Sequence, residues 1–316
     1  MKKGVIAESG SIIDQCLRLV ETGGYFVHRE RPANLCGDYW NRKPDPDGNV
    51  RDIESERAAR MEDVRYIADW LNALTPGRIL DVGCGLGELL EQIDGRHEAF
   101  GIDGSGRSVE ICRARTRASI LQNDLAGAAF PEGHFDAVVA HHVIEHVDEP
   151  VGLIREVRRI LKPGGRFVVG TPDFSCAAAR RFGDRFRLLH DATHVSLFTE
   201  DSLLRLLRDE GFTVEATEKP FFGTRFATAE AFVKIIQNGW AYNSLFTDNS
   251  NGGTLAAYLY SGNVVSNCVF AGNRSTTTIV GCAAVNPATP PLVIDCVFSN
   301  NSSTCIGSQY NANHAL

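Results

Sequence analysis

The sequence predicts a doubly wound α/β sheet domain behind a helical N-terminal extension, with a short β-solenoid after it. Three observations carry this reading. Short apolar runs alternate with helix-period stretches from Arg78 to Lys219, composition changes abruptly near residue 240, and a short unit repeats three times beyond that point. The expected parts are therefore 1–75, 76–238 and 239–316.

In the first part, Met61, Val64, Ile67, Ala68, Leu71 and Leu74 recur at helical spacing, which predicts a helix over Ser55–Leu74 with one apolar face. Pro44-Asp-Pro-Asp-Gly48 before it reads as a loop. Tyr39 and Trp40, further upstream, are placed to cover the substrate side. Glu8, Ser11, Asp14 and Gln15 interrupt what a secretory signal would need as an apolar run, so the expected location is the cytoplasm.

The second part reads as alternating strands and helices, the signature of a parallel sheet. Expected strands are Arg78–Val82, Ala99–Ile102, Ser119–Leu121, Phe135–Ala140 and Arg166–Gly170, with a sixth over Thr213–Lys219. Expected helices are Glu88–Ile93, Arg107–Ala118, Pro150–Leu161 and Glu200–Glu210, with a further helical stretch over Ala229–Gln237. No seventh strand precedes the composition break; Thr254–Tyr260 is the nearest candidate and reads better as part of the tail.

The tail retains only Asp248, Arg274 and Asp295 as formal charges, and Asn, Ser, Thr and Gly dominate. Asn243–Asn249, Asn267–Asn273 and Asp295–Asn301 align, and their phenylalanines 246, 270 and 298 are 24 and 28 residues apart. Each unit is a strand followed by an Asn-rich turn, and repeats of this period suggest stacked parallel coils. The tail resembles right-handed β-helix proteins of the cell-surface and polysaccharide-lyase kind. In such a coil Phe246, Phe270 and Phe298 stack inside.

With a net charge of −7, the chain has no footprint for nucleic acid or an anionic membrane, and no apolar run reaches membrane-spanning length. The nine cysteines show neither a CxxC pair nor a zinc-finger spacing.

The chemistry is read from the strand ends. Asp81-Val-Gly83-Cys-Gly85-Leu-Gly87 closes the first strand, and glycines there let a ligand approach the backbone. Asp103 ends the second strand, where a carboxylate can accept both hydroxyls of a ribose. Asp124-Leu125 follows the third strand, with an acceptor for an adenine amine and an apolar partner for its ring. Leu161-Lys-Pro-Gly-Gly165 leads into the fifth strand.

Together these residues resemble the class I S-adenosylmethionine-dependent methyltransferases, over Arg78–Phe221. The resemblance implies a Rossmann-like fold, S-adenosylmethionine as methyl donor, and donor contacts from Asp81, Gly83, Gly85, Gly87, Asp103, Asp124, Leu125 and His141. A nicotinamide dehydrogenase is the nearest rival. Its Gly-x-Gly-x-x-Gly spacing is not met, and Glu88 would repel a diphosphate while suiting an ammonium.

Candidates for a catalytic base are His142, His146 and His194. His142, Glu145 and His146 are spaced to share one helix face, and the alternative reading makes Glu145 and His146 hydrogen-bonded scaffold. Some ubiquinone-pathway O-methyltransferases, which this segment resembles, use a metal there; none is assigned here. In the second cluster, His190-Asp-Ala-Thr193-His194, an acceptor-site and a structural role stay open, and Thr199 or Ser196 can cap the helix at Glu200.

The expected reaction is O-methylation of a small-molecule, glycan or lipid acceptor. A non-catalytic binding or structural protein, or a fusion of two unrelated coding fragments, is the alternative.

Overall fold

The computed structural model describes residues 4–6, 10–30, 42–44, 50–52 and 54–219, and beyond these only short strands between Trp240 and Ser308. It divides into two units, residues 1–179 with 183–216, and residues 180–182 with 217–316.

Helix α1, Ile12–Thr22, opens the first unit. Ser11 caps its start by accepting from the Asp14 N–H, and Gly23, at φ 71°, ends it in the left-handed region. Helix α2 spans Arg57–Asn72, within the expected range.

The sheet contains β1 (Arg78–Val82), β2 (Glu98–Asp103), β3 (Ser119–Gln122), β4 (Phe135–His141) and β5 (Leu161–Gly170). All neighbours are parallel, in the order β3-β2-β1-β4-β5. Helices α3 (Gly106–Arg115), α4 (Pro150–Ile160) and α5 (Glu200–Asp209) complete the Rossmann-like unit. Side chains alternate along each strand, so one sequence serves two layers. Leu80, Val82, Val138 and Ala140 pack with Val157 and Ile160 of α4. Ile79, Ala137 and Val139 pack instead with Ile67, Ala68 and Leu71 of α2.

Two expectations are corrected. The helix over Glu88–Ile93 reduces to a single 3₁₀ turn, Leu90–Gln92. Gly83, Gly85 and Gly87 hold φ of 68°, 53° and 91°, so the chain leaving β1 spends its length in left-handed turns before it can wind. The sixth strand, Thr213–Lys219, is irregular. Phe212 and Val214 reach the core around Leu206 and Leu207, but the rest of the segment is exposed. An Arg166–Glu215 ion pair, rather than a backbone ladder, ties it to β5.

A small sheet missed in the sequence joins Val5–Ile6, Val27–His28 and Ser196–Leu197. Tyr39, Trp40 and the stretch Ala229–Gln237 lie outside the described residues.

In the second unit the backbone strands pair in parallel across the repeat. Trp240–Tyr242 pairs with Val264–Ser266, which pairs with Leu292–Ile294. Phe246 is in register with Phe270, and Phe270 with Phe298.

Candidate functional site

The C-terminal ends of β1, β2, β3 and β4 lie side by side, the place where open parallel sheets bind ligands. At the centre, the N–H groups of Gly83 and Cys84 both donate to the Ile102 carbonyl, at 2.8 and 3.0 Å. This locks the glycine turn to the end of β2. The Asp103 carboxylate is held there by two backbone donors, Gly85 N–H at 3.0 Å and Ser105 N–H at 2.8 Å. Burial raises its pKa; the two hydrogen bonds oppose the rise without cancelling it.

Asp81 is buried at the end of β1. Burial, reinforced by Cys112 and by the nearby Glu88 and Asp103, pushes its carboxyl well above the usual range. Glu88 is buried as well, and pairs with Arg60 of α2 at 2.6 Å. Arg60 is a neighbour the sequence reading missed; only its position on the polar side of α2 hinted at it. Asp124 is exposed and accepts from the Gly127 N–H at 2.6 Å, which stabilises its own turn. Leu125 is buried in the core layer with Val82 and Ile102.

Gly83 also sets the distance to the next strand end: a Cβ there would meet Val143 Cγ2 at 2.6 Å. The His141–Val143 segment therefore lies directly against the glycine turn. His141 pairs with Gly170 in the sheet, and a Cβ at Gly170 would fall 2.5 Å from the His141 ring. Burial holds His141 down to about 3, so its ring is neutral at physiological pH.

His142 sits at φ 56°, outside any helix, with Glu145 and His146 on the following 3₁₀ turn Ile144–His146. The shared helix face expected from the spacing is thus absent, yet the contact survives. His142 Nδ1 lies 3.0 Å from Glu145 Oε1. Glu145 is fully buried, and its other oxygen accepts from the Thr171 hydroxyl at 2.9 Å. Burial alone would raise the Glu145 carboxyl, but the hydrogen bond with His142 and the charges of His142, His146 and His194 hold it at about 2.

The second cluster joins the first. His146 and His194 rings are 4.9 Å apart. His146 Nδ1 lies 3.0 Å from the Thr193 carbonyl, and His194 Nδ1 lies 2.9 Å from the Leu188 carbonyl. A carbonyl only accepts, so both rings carry a proton on Nδ1. Asp191 lies 3.4 Å from His194 Nε2 and accepts from Thr193 Oγ1 at 2.6 Å. His190 is exposed. Thr199, not Ser196, caps α5; Ser196 donates instead to the Val147 carbonyl. Sequence spacing could not bring His146 to His194, because they meet only after α4 and β5 have been threaded between them.

Glu145, His146 and His194 offer ligand atoms within 4.8 Å of one another, the donor types of a divalent-cation site. Both Glu145 oxygens already accept hydrogen bonds, so a cation would compete with His142 for the carboxylate. The donor end, by contrast, fits S-adenosylmethionine: a turn whose every second residue lacks a Cβ meets the backbone-anchored Asp103 carboxylate. Among the described residues no helix is long and apolar enough to cross a membrane.

A family model described as a methyltransferase domain matches residues 53–217. An uncharacterized 37.1 kDa protein in transposon TN4556 of Streptomyces fradiae is 34% identical over 170 residues, 49% of this chain and 48% of that protein. A ubiquinone biosynthesis O-methyltransferase of Alkalilimnicola ehrlichii is 32% identical over 136 residues, 40% of this chain and 53% of that protein. Among solved structures, a SAM-dependent methyltransferase, possible histamine N-methyltransferase, of Thermotoga maritima is 25% identical. That match covers 51% of this chain and 77% of the other, at a TM-score of 0.42. The chain spans about half the length of the two curated relatives. It belongs to the methyltransferase-domain family.

Proposed function

We propose that this protein is an O-methyltransferase acting on a small-molecule, glycan or lipid hydroxyl, with His142 as its general base. The observation that carries this is the His142–Glu145 pair set directly against the glycine turn through Val143. The relative named as a ubiquinone biosynthesis O-methyltransferase supports oxygen as the acceptor atom.

When bound, S-adenosylmethionine supplies an already activated methyl group, so positioning and exclusion of water carry much of the rate. Gly83, Gly85 and Gly87 admit the donor to the backbone, Asp103 takes its ribose hydroxyls, Asp124 and Leu125 border the adenine, and Asp81 and His141 border the methionine end. Toward the acceptor, the His142 side chain is exposed while its Nδ1 faces a buried carboxylate. Glu145 thereby fixes the tautomer, leaving Nε2 to accept the hydroxyl proton and stabilising the imidazolium that forms. His146 and His194, tied to carbonyls, form the wall behind this dyad.

Binding of labelled S-adenosylmethionine followed by a screen of hydroxyl acceptors tests the reading. Donor binding with transfer to an oxygen supports it; a chain that binds a nicotinamide cofactor and no S-adenosylmethionine overturns it.

The tail is proposed to form a β-solenoid from residue 239 onward that binds a glycan or protein partner. The in-register row of Phe246, Phe270 and Phe298 supports this. Comparing methyl transfer by a chain ending at Asn238 with the full chain tests the division. Equal rates place catalysis in the first 238 residues, and a silent shorter chain refutes an independent catalytic domain. The competing origin, a fusion of unrelated coding fragments, is supported by the composition break near residue 240. An intact transcript across codons 235–245 from an independent source would argue against it.

A further inference from the structure

The donor turn carries a chemistry that methyl transfer does not use. Cys84 lies between Gly83 and Gly85, and Cys112 lies on α3, the helix that follows Asp103. Their sulfur atoms are 4.0 Å apart. Both are buried, Cys84 at 5% and Cys112 at 0% exposure, in a small cluster with Leu90, Val109 and Ile120. The sulfurs are also wedged against backbone that has no side chain to yield. A Cβ at Gly101 would meet Cys84 Sγ at 2.9 Å, and one at Gly87 would meet Cys112 Sγ at 2.8 Å. The two thiols are therefore held facing each other, one on the glycine turn that bonds Asp103 and one on the helix that follows it.

We infer that Cys84 and Cys112 form a covalent modification site, a dithiol whose oxidation by a peroxide to a disulfide weakens donor binding. The inference rests on the donor-site reading above. Closing the sulfurs from 4.0 Å to a bond of about 2.0 Å requires roughly 2 Å of approach, and with Cys84 Sγ packed against Gly101 and Cys112 Sγ against Gly87 there is little room to gain it by side-chain rotation alone, so the turn and α3 must shift. Gly85 is bonded to Cys84, and its N–H holds Asp103, so the turn cannot move without displacing that carboxylate.

The chemistry balances with one peroxide. Cys112 Sγ accepts from the Cys84 thiol and lies 4.0 Å from the Thr116 hydroxyl; the bond from Cys84 lowers its thiol, burial opposes that, and the Thr116 contact lowers it further, which favours it as the attacking sulfur. Its sulfur bonds to one peroxide oxygen as the O–O bond breaks, giving a sulfenic acid and water. The Cys84 sulfur then attacks the sulfenic sulfur; the S–S bond forms, the S–O bond breaks, and hydroxide leaves as water with the Cys84 proton. Two thiols and hydrogen peroxide become one disulfide and two waters.

The full-length protein is treated with hydrogen peroxide, digested and mapped by mass spectrometry, and titrated with S-adenosylmethionine before and after treatment. The expected result is a Cys84–Cys112 cross-linked peptide pair lighter by two hydrogens, with affinity lowered at least about tenfold and restored by a dithiol reductant. Cys112→Ser, with Cys112→Ala as the second variant should serine disturb the core, keeps every other cysteine and should bind equally well before and after peroxide. No cross-linked pair, or a cross-linked protein that binds as tightly as the reduced one, overturns the inference. An equal loss of binding by both Cys112 variants after peroxide also overturns it, because other sulfurs would then be responsible. A reduced wild-type chain that binds no S-adenosylmethionine refutes the donor site itself, and is told apart from failure of the switch, which requires a reduced chain that binds.

Discussion

Replacing Asp103 by alanine removes the one carboxylate the glycine turn holds in place, and its effect separates into two measurable parts. The side chain accepts from Gly85 N–H at 3.0 Å and from Ser105 N–H at 2.8 Å. Losing those contacts leaves two backbone donors at a partly exposed loop, where water can replace the carboxylate. That should lower stability by about 1–2 kcal/mol, or roughly 2–8 °C in Tm for a unit of this size. The ligand effect is separate. A hydroxyl bonded to a carboxylate contributes about 1.5–3 kcal/mol, which is roughly ten- to hundredfold in Kd. Asp103→Asn sharpens the test: its carbonyl can keep one backbone donor, but its amide nitrogen confronts the other, so affinity should fall while Tm falls less than in the alanine variant. Isothermal titration with S-adenosylmethionine and thermal unfolding on the same samples give both numbers. An alanine variant that binds within twofold of wild type would refute the proposed socket, whatever its stability.

Asp81→Asn should act in opposite directions on the empty and loaded protein. Burial drives the Asp81 carboxyl upward, so an uncharged amide should stabilise the empty chain in urea unfolding, yet weaken binding of a cationic donor in calorimetry. Glu145 should make stability acid-sensitive. Its carboxyl is lowered from 4.5 to about 2, so the stability it contributes is present above pH 4.5 and is lost as pH falls toward 2. Unfolding series at pH 7 and pH 3 should show this loss in wild type and a smaller one in Glu145→Gln. His142→Ala should lower kcat by about a hundredfold or more while leaving donor affinity unchanged; an unaltered kcat would remove it as the base. His194→Ala should leave donor binding intact and reduce turnover more modestly, and unchanged turnover would confine His194 to a structural role.

The five sheet strands were legible because each is a short apolar run that emerges from a polar connection. Leu80 and Val138, both fully buried, show how strictly that signal is obeyed. The glycine turn was legible for a related reason: Gly83, Gly85 and Gly87 each adopt dihedrals that other residues avoid. Those same glycines concealed the loss of the expected helix, since a helix-period pattern from Glu88 onward carries no record of how much chain the turn consumes. Thr213–Lys219 alternates like a strand, but alternation does not supply a ladder partner. Helix α1 went unread although Ser11 and Gly23 bracket it with ordinary capping chemistry. In the histidine cluster, the sequence singled out His142, His146 and His194, but the placement of His146 and His194 depends on carbonyls of Thr193 and Leu188, and a carbonyl has no signature in a sequence.

The segment of residues 25–29 is joined to a partner made much later. Val27 pairs with Leu197, and the Arg29 N–H donates to the Val195 carbonyl, beside the residue that faces His146. On a ribosome this early stretch must wait for some 170 further residues before its hydrogen bonds can be satisfied. Closing so long a loop is entropically slow, which places the histidine wall among the last parts to consolidate during folding. The acceptor side should accordingly be the first to loosen under mild denaturant, with amide exchange at Val27 and Val195 outpacing that in the central strands.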